Sequence, residues 1–114
     1  MRRDAKMRLF DIIEAARLIK ETVAGMSASA FVEADAMYRS AVYFQLTIIG
    51  EAIAKLRAEH PQIVSSISDV HRIVEFRNRI VHGYHEIDDE VVWQIITTKL
   101  DTLIAQVEQL LASL

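Results

Sequence analysis

The sequence contains no cysteine, one proline and three glycines in 114 residues. The absence of cysteine excludes disulfides, zinc–thiolate sites and thiol catalysis. The scarcity of proline and glycine leaves little material for turns and favours a few long elements over many short strands. No apolar run approaches the roughly 18 residues of a membrane span, and the basic N-terminus lacks the continuous apolar core of a signal peptide. We therefore expect a cytoplasmic protein that makes no membrane contact.

The chain is rich in apolar residues, which make up 52% of it, against 25% charged residues. This composition predicts a single small domain over residues 1–114 with a packed core. One domain of this size cannot easily hide so much apolar surface, so we expect a subunit interface. The net charge of −3 does not attract nucleic acid to the chain as a whole, and any RNA binding would have to use a local patch.

Helical periodicity runs through almost the whole chain and predicts an all-α fold. We expect an up-and-down bundle of four helices, or of five if the long second helix is kinked. Ser66 and Asp69 form a loose capping box for the third helix, and Pro61 ends the second. The predicted helices are Asp4–Val23, Ala30–Glu59, a third from Ser66 or Ser68 to Gly83, and a fourth from Asp88 to the C-terminus.

The second helix is apolar on most sides, which is typical of a central helix. We expect it to pack both within the subunit and against a second copy. Its first apolar stripe consists of Phe31, Ala34, Met37, Tyr38, Ala41, Phe44, Ile48, Ala52 and Ile53. Four further residues widen that stripe nearly around the helix: Val42, Leu46, Ile49 and Leu56.

The third helix carries an arginine in the middle of its apolar stripe. Val70, Ile73, Val74, Ile80 and Val81 fall within about 60° of one direction on an ideal helix, and Arg77 lies at its centre. Burying a guanidinium without partners costs several kcal/mol. Arg77 therefore either reaches a bundle edge or pairs with a buried acid such as Glu51, or it lines a cleft or dimer interface and meets a phosphate there.

A polar stripe lies on the neighbouring face of the same helix and contains His71, Glu75, Asn78 and His82. Asn78 and His82 are one turn apart, so their side chains can touch. The alternative is an ordinary solvated face. Arg77 and His82 are about 140° apart on an ideal helix, so they would act on one ligand only if the Arg77 side chain curls round, the helix end distorts or a symmetry mate supplies one of them.

Other chemistry has little support in the sequence. Two nearby histidines, His82 and His85, are not spaced for a metal site, and we expect neither a metal nor a cofactor. There is no glycine-rich phosphate loop. The acidic segment of Glu86, Asp88, Asp89 and Glu90 could bind a cation, but we expect it to cap the fourth helix. Trp93 is expected to be a packing residue. Tyr84 either packs on the bundle end or has a functional role.

The segment RNRIVHGY resembles the Arg-x4-His-x-Tyr signature of the HepT-type branch of the HEPN superfamily. The resemblance extends to IGEA on the second helix, to the proline after it and to YHEIDDEVVW before the last helix, and so covers nearly the whole chain. The segment SSISDVHRIVEF departs from the family pattern, because it lacks an aromatic residue soon after the proline. HepT-type proteins are helical homodimers and toxins of prokaryotic toxin–antitoxin pairs.

The resemblance implies a metal-independent endoribonuclease with RNA as its substrate, whose two motifs face a shared cleft. Arg77, Asn78 and His82 would form the catalytic site, with Arg72 and Arg79 as a basic rim and Glu51 in support. It also implies a nucleotidyltransferase-fold antitoxin that adenylylates Tyr84. A non-catalytic dimer that only binds this transferase and is modified by it remains the alternative.

Overall fold

The architecture is all-α, as predicted. The structure is a computed structural model that describes residues 4–114, except the side chain of Tyr84. Within that range it contains helices and no strand. The helices are α1 (Ala5–Val23), α2 (Ala28–Val32), α3 (Ala36–Glu59), α4 (Pro61–Val64), α5 (Val70–Gly83), a 3₁₀ helix (Tyr84–Glu86) and α6 (Asp89–Ser113).

The first and last helices begin where the sequence predicts. The Asp4 carboxylate accepts a hydrogen bond from the backbone N–H of Met7 at 2.8 Å, and Asp88 accepts one from Glu90 at 2.9 Å. These aspartates cap α1 and α6, because the first backbone N–H groups of a helix have no partner within it. The acidic segment before α6 therefore acts as a cap, as expected.

The predicted long second helix is broken into α2 and α3. Asp35 has a non-helical backbone and caps α3 by accepting the N–H of Met37 at 2.8 Å. Nη1 of Arg39 donates to the carbonyls of Val32 and Ala34 at 2.7 and 2.6 Å. These bonds satisfy carbonyl groups at the end of α2 that no longer have helical partners. The break is thus stabilised by Asp35 and Arg39, whose capping pattern the apolar periodicity obscured.

The two apolar faces of α3 have different environments. The buried face contains Val42, Leu46, Ile49, Gly50, Ala52, Ile53 and Leu56. On the opposite side Met37 and Phe44 are 78% and 62% exposed, and Ala41 is exposed as well. The single chain therefore buries the residues predicted to widen the stripe and leaves much of the first stripe uncovered.

The start of the third predicted helix is corrected by the structure. Pro61 ends α3 as predicted, but it also occupies the first turn of the short helix α4, a position that suits its fixed φ. α5 begins only at Val70, after Asp69 with a φ of 60°. The predicted capping box of Ser66 and Asp69 is wrong, because a helix that begins at Val70 lies too far along the chain for Ser66 to cap it. Ser68 is bound to Gln106 of α6 through two hydrogen bonds of 2.9 and 2.7 Å.

Ion pairs show how the long helices run in the bundle. Arg8 near the start of α1 lies 3.2 Å from Glu59 at the end of α3, so these helices are antiparallel. Arg17 of α1 lies 3.7 Å from Glu108 of α6, and Lys20, one turn later on α1, pairs with Asp101, which comes earlier on α6, so these two helices are antiparallel as well. Asp69, just before α5, lies 3.7 Å from Lys99 of α6. Helix α1 is therefore antiparallel to both α3 and α6, as the predicted up-and-down bundle requires.

The short helix α2 covers one end of the core. Phe31 is fully buried and its ring centroid lies 5.4 Å from that of Trp93 on α6. Trp93 is thus a packing residue, as expected. None of the helices formed by residues 4–114 combines the length and the apolar character that a membrane crossing requires.

Candidate functional site

The helix α5 packs on α3 with Arg77 at the contact. Val74 and Ile80 are buried, and Val70 and Ile73 are partly buried. Val81 does not belong to this buried stripe, because it is 49% exposed. Arg77 lies between these apolar residues with a side chain that is only 20% exposed. The wheel therefore located the arginine correctly, but the buried face is narrower than predicted.

The arginine fits against α3 because residue 50 has no side chain. A Cβ atom built on Gly50 would overlap Cβ of Arg77 and lie 2.6 Å from its Cγ. Real Cβ atoms do not approach other carbon atoms so closely. Gly50 is in the middle of α3 with an ordinary helical φ, so the absence of Cβ, and not conformational freedom, is what the contact requires. This glycine brings the two helices together at the motif.

Glu51, the next residue on α3, holds the charged end of Arg77. Nη1 of Arg77 lies 3.2 Å from Oε2 of Glu51. The glutamate side chain is 51% exposed, so it is not the buried acid that we considered, although the pairing itself is present. Nε of Arg77 is buried and makes no hydrogen bond to any described residue. The guanidinium thus has a buried inner edge and a partner at the surface.

Asn78 and His82 lie on the exposed side of α5, as do Arg72 and Arg79. No hydrogen bond or ion pair joins His82 to Arg77 within the described residues. His71 on the same side pairs with Glu75 at 3.6 Å. A single chain therefore brings Arg77 to Glu51 and leaves His82 in solvent, and the angular separation predicted from the wheel remains.

Arg72 has surroundings that Arg77 does not share. It lines a cleft of about 490 Å³ between α5 and α6, together with Phe76 and Lys99. On an ideal helix Arg72 and Arg77 are about 140° apart. The structure thus gives the two arginines different surroundings, and the basic rim of Arg72 and Arg79 stays a prediction.

The end of α5 leads directly into the turn that contains Tyr84. α5 ends at Gly83 as predicted, but Gly83 does not turn the chain through a left-handed conformation. The backbone continues as the 3₁₀ helix Tyr84–Glu86. The side chain of Tyr84 lies outside the described part of the structure, so its predicted role stays a prediction.

Two residues near the motif were missed by the sequence reasoning. Gly50 stands inside the IGEA segment, but nothing in one sequence shows which side chain approaches it. Tyr43 lies two turns earlier on the same face of α3, and its hydroxyl is buried without a hydrogen bond to a described residue. No group of three histidine or carboxylate side chains within residues 4–114 is arranged to hold a metal ion.

The fold and the motif together define the class of protein. It is an all-α bundle in which an Arg-Asn…His motif lies on a helix, α5, that packs against the central helix α3. A family model described as Ribonuclease HepT-like matches residues 12–110. The chain therefore belongs to the HepT-like ribonuclease family and is a HEPN-type protein. The resemblance read from the motif is confirmed.

Three relatives share this similarity over most of their length. Two proteins of Methanocaldococcus jannaschii, both named "Putative RNase", are 25% and 29% identical to the chain. The matches cover 96% of this chain and 89% of the first, and 94% of this chain and 96% of the second. A "Putative RNase" of Caldanaerobacter subterraneus is 28% identical over 88% of each chain. No solved structure matches the chain.

Proposed function

We propose that the protein is a metal-independent endoribonuclease whose catalytic residues are Arg77, Asn78 and His82. The observation that carries this proposal is Arg77, a cation held between two helices by Gly50 and Glu51 in an otherwise apolar contact. A bundle that needed only stability would be served better by an aliphatic residue there. The family match and the names of the relatives agree with RNA as the substrate.

The reaction proposed is attack of a ribose 2′-OH on the adjacent phosphorus. The bond to the 5′ oxygen of the next nucleotide breaks, which leaves a 2′,3′-cyclic phosphate and a free 5′-OH. His82 takes the proton of the 2′-OH or gives a proton to the leaving oxygen. Arg77 stabilises the negative charge that develops on the phosphoryl oxygens. Asn78 orients His82 or a phosphate oxygen, and Arg79 adds positive charge nearby.

In a homodimer, Arg77 of one chain could meet His82 of the other, although the two residues point in different directions on one helix. Met37, Ala41 and Phe44 are exposed and Ile48 is partly buried; they recur at spacings of four, three and four on one face of α3, and Glu51 continues this series. Glu51 is also the partner of Arg77. A second copy packed symmetrically on this face would cover the apolar side chains. It would also bring two copies of the motif to one interface, where one chain's Arg77 and the other's His82 can meet.

The test is cleavage of RNA by the purified protein and its His82→Ala and Arg77→Ala variants. Wild type is expected to yield fragments that end in a 2′,3′-cyclic phosphate in the presence of EDTA, and both variants are expected to lose this activity. His71→Ala is the matched control, because it removes an exposed histidine from the same helix outside the motif.

Equal activity of wild type, His82→Ala and Arg77→Ala would refute the ribonuclease proposal, as would intact RNA with all three. Induced expression gives the same comparison in cells, where growth arrest and loss of RNA integrity should occur with wild type and His71→Ala only.

The biological setting proposed is a toxin–antitoxin pair in the cytoplasm. The antitoxin would be a minimal nucleotidyltransferase that adenylylates Tyr84 and places a bulky anion where RNA enters. A neighbouring gene for such a transferase would support this, and Tyr84→Phe should remain toxic when both proteins are expressed.

A second candidate is a non-catalytic dimer that serves as partner and substrate of the transferase. The ion pair between Arg77 and Glu51 favours it, since the arginine is already engaged within one chain. Intact RNA together with labelling of Tyr84 by the transferase would support this candidate over the first.

A further inference from the structure

Two residues of α3, Gly50 and Glu51, contact Arg77, and the glycine has no side chain that could take part in a reaction. We propose that Gly50 and Glu51 are positioning residues for Arg77. Gly50 opens the space between α3 and α5 in which the arginine stem lies, and Glu51 holds the guanidinium toward the exposed stripe of α3. The positioning of a catalytic group rests on the proposed ribonuclease function, whereas the packing role of Gly50 does not.

Gly50 occupies a position in the chain where a glycine lowers the stability of the helix. Glycine in the interior of a helix is destabilising relative to alanine, because it loses more freedom on folding. Gly50 lies in the middle of a 24-residue helix and is buried. Any other side chain would collide with both Cβ and Cγ of Arg77. The glycine is therefore explained by the arginine opposite it.

The Nε and Nη1 atoms of the Arg77 guanidinium have different surroundings. Its Nε is buried without a hydrogen bond to any described residue, while its Nη1 meets a carboxylate that is half exposed. The charged end of Arg77 therefore faces the surface that carries Glu51, next to Phe44 and Ile48 in the same helical series. Without the carboxylate the arginine would keep its stem packed and lose the direction of its charge.

A thermal denaturation cycle tests the contact between Gly50 and Arg77. In the wild-type background, Gly50→Ala should lower Tm, because the new Cβ collides with the arginine. In an Arg77→Gly background that collision is absent, and the same substitution should raise Tm through the helix preference of alanine. The control is Gly83→Ala, whose new Cβ would have its nearest neighbour at 3.9 Å; its effect on Tm should be the same in both backgrounds.

The sign of the Gly50→Ala effect decides the outcome. A shift of the same sign and size in both backgrounds would overturn the packing role. If Gly50→Ala fails to fold alone but folds together with Arg77→Gly, the role is supported. If Arg77→Gly folds but Gly50→Ala prevents folding in both backgrounds, the alanine collides with something other than Arg77, and the packing role is again refuted.

A kinetic comparison tests the positioning by Glu51. Glu51→Gln should reduce kcat for RNA cleavage by about ten- to a hundredfold, as small misplacements of a catalytic group do, with Tm and KM nearly unchanged. Glu51→Asp, which keeps the charge, should recover part of the rate. Glu59→Gln is the matched control, because it alters an ion pair of the same 3.2 Å length elsewhere on α3.

The two parts of the proposal fail in different ways. Wild-type kcat in Glu51→Gln, with Arg77→Ala inactive, would refute the positioning role of Glu51. If wild type itself cleaves no RNA, the proposed function fails and takes that positioning role with it. The Tm cycle would then still decide whether Gly50 accommodates Arg77.

Discussion

Two arginines make ion pairs of equal length with glutamates of α3, and their surroundings differ. Arg8 of α1 pairs with Glu59, and Arg77 of α5 pairs with Glu51, both at 3.2 Å. In the first pair both side chains are mostly buried, with 13% and 16% exposed. In the second the arginine is 20% exposed but the glutamate 51%. The first pair joins helix ends, and the second joins a largely buried arginine to a half-exposed glutamate.

The comparison shows that an ion pair's distance does not reveal its role. A partly buried pair with both partners shielded from water is a structural contact, and removing one partner leaves the other desolvated. A pair with a half-exposed glutamate contributes little to stability. Arg77 also lies against a glycine, whereas a buried Nε without a hydrogen bond to a described residue is common to Arg77 and Arg8. The glycine contact and the half-exposed glutamate fit an arginine whose position serves a ligand, and mutations of the two pairs separate the two roles.

The largest expected difference between the pairs is in catalysis. Arg77→Ala should lower kcat/KM for RNA cleavage by about 10²- to 10³-fold, the effect of removing one donor to a developing oxyanion. Arg8→Ala should leave the cleavage rate of the folded protein unchanged. Rates are measured with a labelled RNA at a temperature where both variants are folded. An equal loss in both variants would erase the distinction.

The second expected difference is in the free energy of unfolding, to which the pair of Arg8 and Glu59 should contribute more than the pair of Arg77 and Glu51. Glu59→Ala should lower the free energy of unfolding by about 1–3 kcal/mol, because it leaves the guanidinium of Arg8 poorly solvated. Glu51→Ala should change it by about 0–1 kcal/mol, since its carboxylate is half exposed. Urea denaturation followed by circular dichroism measures both. A larger loss for Glu51→Ala would show that the second pair is structural.

A third difference concerns the second copy of the chain, which would cover Glu51 but not Glu59. Phe44→Ser removes an exposed aromatic from the α3 face that ends at Glu51. It should raise the dimer Kd about tenfold, equivalent to ~1.4 kcal/mol. Phe10→Ser on α1, where Phe10 is 49% exposed, is the matched control. Analytical ultracentrifugation gives both constants, and a monomeric wild type would rule out the dimer.

The smallest difference is in the response to salt. Raising the ionic strength screens exposed charges more than buried ones. The stability difference between wild type and Glu51→Gln should therefore shrink at 1 M salt from an initial value of at most about 0.5–1 kcal/mol. That between wild type and Glu59→Gln should persist. Denaturation at low and high salt checks this, and parallel behaviour of the two variants would mean that they are equally solvated.

Much of the fold could be predicted because local signals repeat along the chain. Asp4 and Asp88 cap helices that carry regular apolar stripes, and both helices begin as predicted. The position of the break between α2 and α3 was not predicted beyond a possible kink in one long helix, since apolar spacing continues across Asp35. The start of α5 depends on Ser68 meeting Gln106, which is 38 residues away. Contacts at such separations leave no trace in local periodicity.

In the motif, too, some features follow from local spacing and others depend on contacts between helices. One helical wheel was enough to find Arg77 in an apolar stripe and His82 on another face, because both follow from spacing alone. The wheel also placed Val81 in the core, and the structure exposes it, because α3 covers only part of that stripe.

By itself the sequence determined the all-α class, the starts of the first and last helices and the presence of a charged residue in an apolar stripe, since these depend on residue type and on periods of a few positions. Only the tertiary structure decided what lies opposite that residue. It placed Gly50 against the stem of Arg77 and Glu51 against its charge. The physical reason is that packing between two helices depends on their separation and rotation, which the periodicity of either helix leaves open.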